Sequence, residues 1–167
     1  MIDAVNKRRF FFDADGVLFV FDQSKSLEEV CAPGYFQSVT SVPNVVNAFR
    51  ALIDMGEDVY ILTKVFEDGH SRNDKMISFM RTIPELDRDH VLFVSYSGDK
   101  NDVVKNISSQ DILIDDFTPN CKSWRGTAVK LYNGYNGTKG TWDGFSVNAN
   151  SCAESIAKQL LGIASVA

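Results

Sequence analysis

FFFDADGVLF, residues 10–19, decides how the chain is read. Three phenylalanines open an apolar run of the kind that becomes a buried strand. The run ends in two aspartates, Asp13 and Asp15, one residue apart and followed at once by Gly16. Burying carboxylates at a strand end without partners is costly, so these two call for a counter-charge or a reaction.

Working outward, RRFFFDA (8–14), DVYILT (58–63), HVLFVS (90–95), DILID (111–115) and TAVKLY (127–132) read as strands, apolar on both faces as in a covered parallel sheet. Helical patterns separate them. Residues 44–55 place Val45, Val46, Phe49, Leu52 and Ile53 on one face, and Gly56 ends the run. Helices are also expected over 71–82 and 100–109, and from Thr118 as N-cap and Pro119 as first helical residue through Trp124. Ser151 and Glu154 read as the capping box of a last helix with Ile156, Leu160 and Ile163 on its core side. This alternation predicts a doubly wound α/β fold of about five parallel strands, a single domain over 1–167. The connection 16–43 is too long for a simple crossover. It carries its own capping box, Ser26 and Glu29, and reads as a small cap inserted after the first strand. The stretch NGYNGTKGTWDG (133–144) reads as a long turn-rich loop.

A net charge of −5 and a pI near 5.0 argue against a nucleic-acid polymer or an anionic membrane as partner. No apolar stretch approaches the roughly 20 residues that span a bilayer, and the basic start before residue 10 is not expected to be a leader, because the aspartates interrupt its apolar run. Cys31, Cys121 and Cys152 have neither disulfide-framework nor zinc-site spacing, which fits a cytoplasmic protein. His70 and His90 lie in polar connections, so a histidine-based triad or metal site is not expected.

In an open parallel sheet, ligands bind beyond the carboxyl ends of the strands. Asp13 and Asp15 follow the first strand, Thr63 and Lys64 the second, Ser95, Ser97, Asp99 and Lys100 the third, and Asp115 and Asp116 close the fourth. Four carboxylates in one crevice need a cation. Hard oxygen donors without a nearby Cys or His pattern select Mg²⁺. A metal, an ammonium and a hydroxyl around one point suit a phosphate dianion, and phosphoryl transfer needs chiefly such positioning. A carboxylate can be the nucleophile, and a second one two residues on the acid and then the base. Lys100, at the start of an expected helix where the macrodipole disfavours a cation, fits better with an anion nearby.

In this order, these residues resemble the haloacid dehalogenase superfamily of phosphohydrolases, whose fold is a Rossmann-like three-layer sandwich. FFDADGVLF resembles its first motif, which implies Asp13 as nucleophile and Asp15 as acid/base. YILT, ending at Thr63, resembles the second, the hydroxyl on the phosphoryl group. Lys100 resembles the third, and LIDD (113–116) the acidic metal-binding fourth. The implied Mg²⁺ ligands are Asp13, Asp15 and Asp115, with Asp116 either a further ligand or a group orienting Lys100 or a metal-bound water. DGVLF, the GYF of 34–36, ILIDDFTPNCKSW (112–124) and the NGxNGTxGTW loop further resemble the 5′(3′)-deoxyribonucleotidase-like branch. That implies hydrolysis of a small phosphorylated substrate, a nucleoside monophosphate. Lys64 departs from the small polar residue many relatives carry there and offers a second phosphate contact. Phe19, Phe21, Tyr35 and Phe36 either pack the cap or wall a substrate pocket, and Trp142 either packs its loop or closes the site.

Three alternatives compete. A phosphatase acting on a sugar phosphate would use the same core. A phosphate-binding module without turnover would not need Asp15. A signalling receiver domain would carry an aspartate at the end of its middle strand, and HVLFVSYSGDK offers no suitable one.

Overall fold

The computed structural model describes residues 8–135 and 141–167. Six parallel strands, β1 (Arg9–Phe12), β2 (Asp58–Val65), β3 (Val91–Ser95), β4 (Asp111–Asp115), β5 (Thr127–Tyr132) and β6 (Phe145–Asn148), form one sheet in the order β3-β2-β1-β4-β5-β6. The chain builds outward from β1 to one edge, then returns to β4 and builds to the other. The order therefore reverses between β1 and β4, the place where an α/β sheet opens a crevice at its carboxyl edge.

Alternation along β1 sorts its phenylalanines between the two faces. Phe10 and Phe12 enter the larger core with Val45, Phe49 and Leu52 of α3 (Pro43–Asp54), Phe79 of α4 (Ser71–Thr82), and Ile156 and Leu160 of α6 (Ala153–Ala164). Phe11 enters the smaller core of the opposite face with Leu62, Val94, Val104, Leu113 and Trp124. All three phenylalanines are fully buried, each contributing roughly 1.5–3 kcal/mol by area. The result is the expected doubly wound, three-layer α/β architecture.

Four sequence expectations are corrected in detail. β6 adds a sixth strand; it is a short edge strand in which only Val147 is buried, so its polar-interrupted sequence carries little apolar signal. The helix expected over 100–109 is a single 3-10 turn, Lys100–Asp102. Val103, Val104 and Ile107 are weak helix formers, and Asn106 adopts a left-handed φ of 53°. The helix α5 (Thr118–Ser123) has Phe117 as its N-cap, while the Thr118 hydroxyl accepts from Lys130 Nζ at 2.6 Å. In α6 the N-cap is Cys152, and the Ser151–Glu154 box does not form.

The connection from β1 to α3 folds back on itself. Phe19 bridges Ser41 antiparallel, and Val20 N–H donates to the Thr40 carbonyl at 2.8 Å. Beyond this neck lie two single-turn helices, α1 (Leu27–Val30), with the expected Ser26–Glu29 capping box, and α2 (Tyr35–Ser38). Asp74 of α4 ties the start of α2 down, accepting from Gly34 N–H at 2.7 Å and Gln37 Nε2 at 2.6 Å. Among the described residues, no helix is long and apolar enough to cross a membrane.

Candidate active site

The carboxyl edge at the β1–β4 switch point is built by continuing one ladder. Asp13 N–H donates to the Ile114 carbonyl at 2.9 Å, one residue past the end of β1. This sets Asp13 beside Asp115. The chain then turns sharply, with the Ala14 carbonyl accepting from Val17, Leu18 and Phe19 N–H at 3.2, 3.0 and 2.9 Å. Gly16 makes the turn possible with φ +81°, and a Cβ there would overlap the Asp116 carboxylate.

Two buried ammonium groups serve the two aspartates. Lys100 Nζ lies 2.8 Å from Asp13 Oδ1 and 2.6 Å from Asp115 Oδ2. Asp115 is fully enclosed: Oδ1 also accepts from Phe117 N–H at 2.8 Å, and Oδ2 from Asn120 Nδ2 at 2.9 Å. Lys75, from α4, pairs with Asp15 Oδ2 and donates to Thr63 Oγ1 at 3.1 Å and the Lys64 carbonyl at 2.7 Å. Burial works against the Lys100 ammonium, but Asp115 and Asp13 outweigh it and hold its pKa above the ordinary value. Burial lifts the Asp15 carboxyl above its usual range; Lys75 opposes the rise and the Asp13 charge adds to it. Burial likewise raises Asp115, with Lys100 opposing.

Asp116 completes the edge. Its Oδ2 accepts from Asn133 Nδ2 at 2.9 Å, and the same amide donates to the Gly16 carbonyl at 2.9 Å. Asp13, Asp115 and Asp116 each present an oxygen within 4.8 Å of the other two. At that separation two carboxylates repel by about 3–4 kcal/mol at an effective dielectric near 20. Lys100 bridges Asp13 and Asp115, and all three acids offer buried oxygen donors. That donor set fits a hard divalent cation such as Mg²⁺.

A cleft of about 660 Å³ opens over the cluster. Its lining divides by chemistry into the acids Asp13, Asp15 and Asp116, the aromatics Phe21, Tyr96 and Phe117, and the polar groups Gln23, Lys25, Lys64 and Asn120. Lys25 is engaged with Glu29 at 2.9 Å.

The structure brings Asp13, Lys100, Asp115 and Asp116 together. It separates other candidates from them. The Asp15 side chain pairs with Lys75 and stands outside the carboxylate cluster, whose third member is Asp116. Thr63 lies inside β2, which runs two residues further than expected, and is fully buried against Lys75. Lys64, also within β2, does reach the cleft. Of the four aromatic candidates, Phe21 alone lines the cleft. Phe19 packs on Phe79 at 5.6 Å and Phe36 on Phe66 at 6.3 Å, as core side chains, and Tyr35 sits edge-on to Phe36. Asp99 caps the 3-10 turn through Asn101 N–H at 2.8 Å. Trp142 Nε1 donates to the Phe145 carbonyl at 2.9 Å and packs its own loop; residues 136–140 of that loop lie outside the described residues. His70 and His90 bond to the carbonyls of Cys31 and Val59, at 2.7 and 3.0 Å.

Three site residues escaped the sequence reading. Asn133 stands at the carboxyl end of β5, where the strand-end rule would have found it. Asn120 follows the acidic pair by one helical turn. Lys75 had no signal, being one lysine within a polar helix.

No family model matches the chain, and no curated protein matches it. Its fold is similar to the crystal structure of D,D-heptose 1.7-bisphosphate phosphatase from B. bronchiseptica complexed with magnesium and phosphate. The TM-score is 0.61 and the identity 13%, over 93% of this chain and 98% of that one. At this identity the likeness is one of fold.

Proposed function

We propose that the chain is a phosphomonoester hydrolase of the haloacid dehalogenase superfamily, working through an aspartyl-phosphate on Asp13. The observation that carries this reading is the cluster of Asp13, Asp115 and Asp116 within 4.8 Å at the sheet's switch point, with Asp15 beside it and Lys100 bridging two of its members. The fold it shares with a phosphatase complexed with magnesium and phosphate supports it.

Asp13 attacks phosphorus in line while the bond to the leaving oxygen breaks, and Asp15 protonates that oxygen. Asp15, now ionised, takes a proton from the water that attacks the aspartyl-phosphate, releasing phosphate and restoring Asp13. Lys100 holds the Asp13 carboxylate in place, and Lys64 reaches the cleft as a counter-charge for phosphoryl oxygens. Mg²⁺ held by Asp13, Asp115 and Asp116 would neutralise charge on the phosphoryl group. The segment 16–43 serves as a small cap, contributing Phe21, Gln23 and Lys25 to the cleft.

The substrate reading is a nucleoside monophosphate. Tyr96 and Phe117, 59% and 49% exposed, join Phe21 in presenting aromatic surface to the cleft, which suits a base. A sugar phosphate is the second reading, favoured by the polar part of the lining and by the sugar bisphosphate in the structural neighbour's name. The three unpaired cysteines fit a cytoplasmic enzyme.

Phosphate release with Mg²⁺ from ribo- and deoxyribonucleoside 5′- and 3′-monophosphates and from sugar phosphates, run beside Asp13→Asn, tests both levels. Turnover on nucleotides that vanishes in the variant supports the whole reading. Turnover confined to sugar phosphates keeps the chemistry and replaces the substrate. Absence of turnover across the panel overturns the hydrolase reading.

A further inference from the structure

Lys75 takes no part in the steps above, yet its ammonium is fully coordinated. Its three donors meet Asp15 Oδ2, Thr63 Oγ1 and the Lys64 carbonyl, and it lies 4.5 Å from the centre of the Phe36 ring. The side chain is 3% exposed. Its backbone is pinned as well, because the preceding Asp74 holds Gly34 and Gln37, and Ser71 at the start of α4 exchanges hydrogen bonds with Phe66. An ammonium with three acceptors in a dry pocket has one position.

A counter-ion that merely made a buried carboxylate tolerable would have a simpler setting. The Asp15 side chain keeps 27% of its exposure and lines the cleft, so water already reaches it. What Lys75 adds is direction. It ties Oδ2 to β2, the strand whose Lys64 also lines the cleft, so in the mechanism above Oδ1 is the oxygen that exchanges the proton.

We propose that Lys75 is a positioning residue for the acid/base step, aiming Asp15 at the leaving oxygen by holding Oδ2 against β2. The inference rests on the phosphatase reading above. In the step that forms the aspartyl-phosphate, it makes Lys75 matter when the leaving oxygen needs a proton and matter little when it does not. Positioned proton transfer contributes roughly 10²–10⁴-fold, and it is this contribution that a mis-aimed Asp15 forfeits.

The test compares two esters with Mg²⁺ present: the best alkyl phosphate of the panel, whose leaving alkoxide must be protonated, and dinitrophenyl phosphate, whose leaving group departs as the anion. Lys75→Met is expected to slow formation of the aspartyl-phosphate, read as ester loss in a single turnover by rapid quench, by about 10²-fold on the alkyl ester and by less than about 5-fold on the dinitrophenyl ester, while the later hydrolysis, common to both, slows equally. Lys75→Arg, which keeps a cation, is expected to recover part of the alkyl rate. Equal losses on both esters in the formation step, or a change confined to KM, would overturn the assignment and leave the phosphatase reading standing. Should Lys75→Met fail to fold, Lys75→Gln retains a donor for Thr63 and carries the same comparison. A wild-type protein that turns over neither ester removes the phosphatase reading and this assignment with it.

Discussion

Asp13 and Asp15 are separated by a single residue on one loop, yet each meets a different buried lysine in a different setting. The Asp13 pocket is closed: Lys100 and Asp115 are almost without solvent, and backbone and amide donors take the remaining Asp115 oxygens. The Asp15 pocket is half open, with Lys75 behind the carboxylate and the cleft in front. A nucleophile must stay ionised and aimed, so it gains from a fixed cation and a closed wall. An acid that becomes a base must exchange protons with substrate and water, so it gains from a fixed back and an open front. In the proposed mechanism, one short motif thus supplies two carboxylates whose roles are separated by what the rest of the fold brings to them.

The largest expected effect comes from the closed pocket. Asp13→Asn should reduce turnover on the order of 10⁵-fold on every ester, read as phosphate release, because it removes the attacking oxygen. Retained activity in that variant would break the division of roles at its first member. Lys100→Met comes next, with about a 10³-fold loss that does not depend on the leaving group, since it acts on the nucleophile's side of the reaction. It also strands two buried carboxylates, a loss of roughly 3–5 kcal/mol. Thermal melting should therefore show a larger deficit without Mg²⁺ than with it, because a cation bound only by the folded state offsets part of the repulsion. Gly16→Ala probes the wall between the pockets. The added Cβ displaces Asp116 and the residue is forced to keep φ +81°, so the Mg²⁺ concentration for half-maximal activity should rise by about 10-fold or more.

The smallest effect sharpens the contrast through pH. The Asp15 carboxyl sits above its ordinary pKa, chiefly through burial, with Lys75 pulling it back down. Its protonated form is the one that donates, so the alkyl-ester rate is present below that pKa and lost as pH rises through it. Removing the Lys75 charge lets the pKa climb further, and the alkaline limb should move to higher pH in Lys75→Gln. Stability follows the same sign: with a folded pKa above the unfolded one, this carboxyl's contribution is present at low pH and lost as pH rises. A limb that moves toward lower pH would show that Lys75 does not act on Asp15 in this way.

The closed pocket was legible in the sequence and the half-open one was not, for a physical reason. Asp13, Asp115 and Asp116 stand at the ends of apolar runs, where a charged residue is conspicuous, and Lys100 follows another such run. Lys75 arrives from the middle of α4, among SRNDKMISFMRT, where a lysine is the commonplace of a solvated face. Only the packing of α4 on the sheet and on α2 turns it inward. Asn133 was within reach of the strand-end rule, but the glycines after it drew the stretch into a loop. The helix expected over 100–109 and the missing β6 share a cause: short segments take their structure from the face they cover, and four or five residues carry too little pattern to show it. Aromatic placement failed likewise, since Phe19 and Phe36 look no different in sequence from Phe21. Tyr96 and Phe117, beside motifs read for their charges, turned out to face the cleft.

The central claim is that Asp13 carries the phosphoryl group. It is tested most directly by acid-quenching the protein during incubation with substrate and Mg²⁺ and mapping any attached phosphoryl group by peptide mass spectrometry. The comparison uses wild type and Asp15→Asn, which slows release. A hydroxylamine-labile phosphoryl group on the peptide containing Asp13, more abundant in Asp15→Asn, is the expected result. Steady turnover with no phosphoryl group on that peptide would contradict the account, and would mean that water attacks the substrate directly.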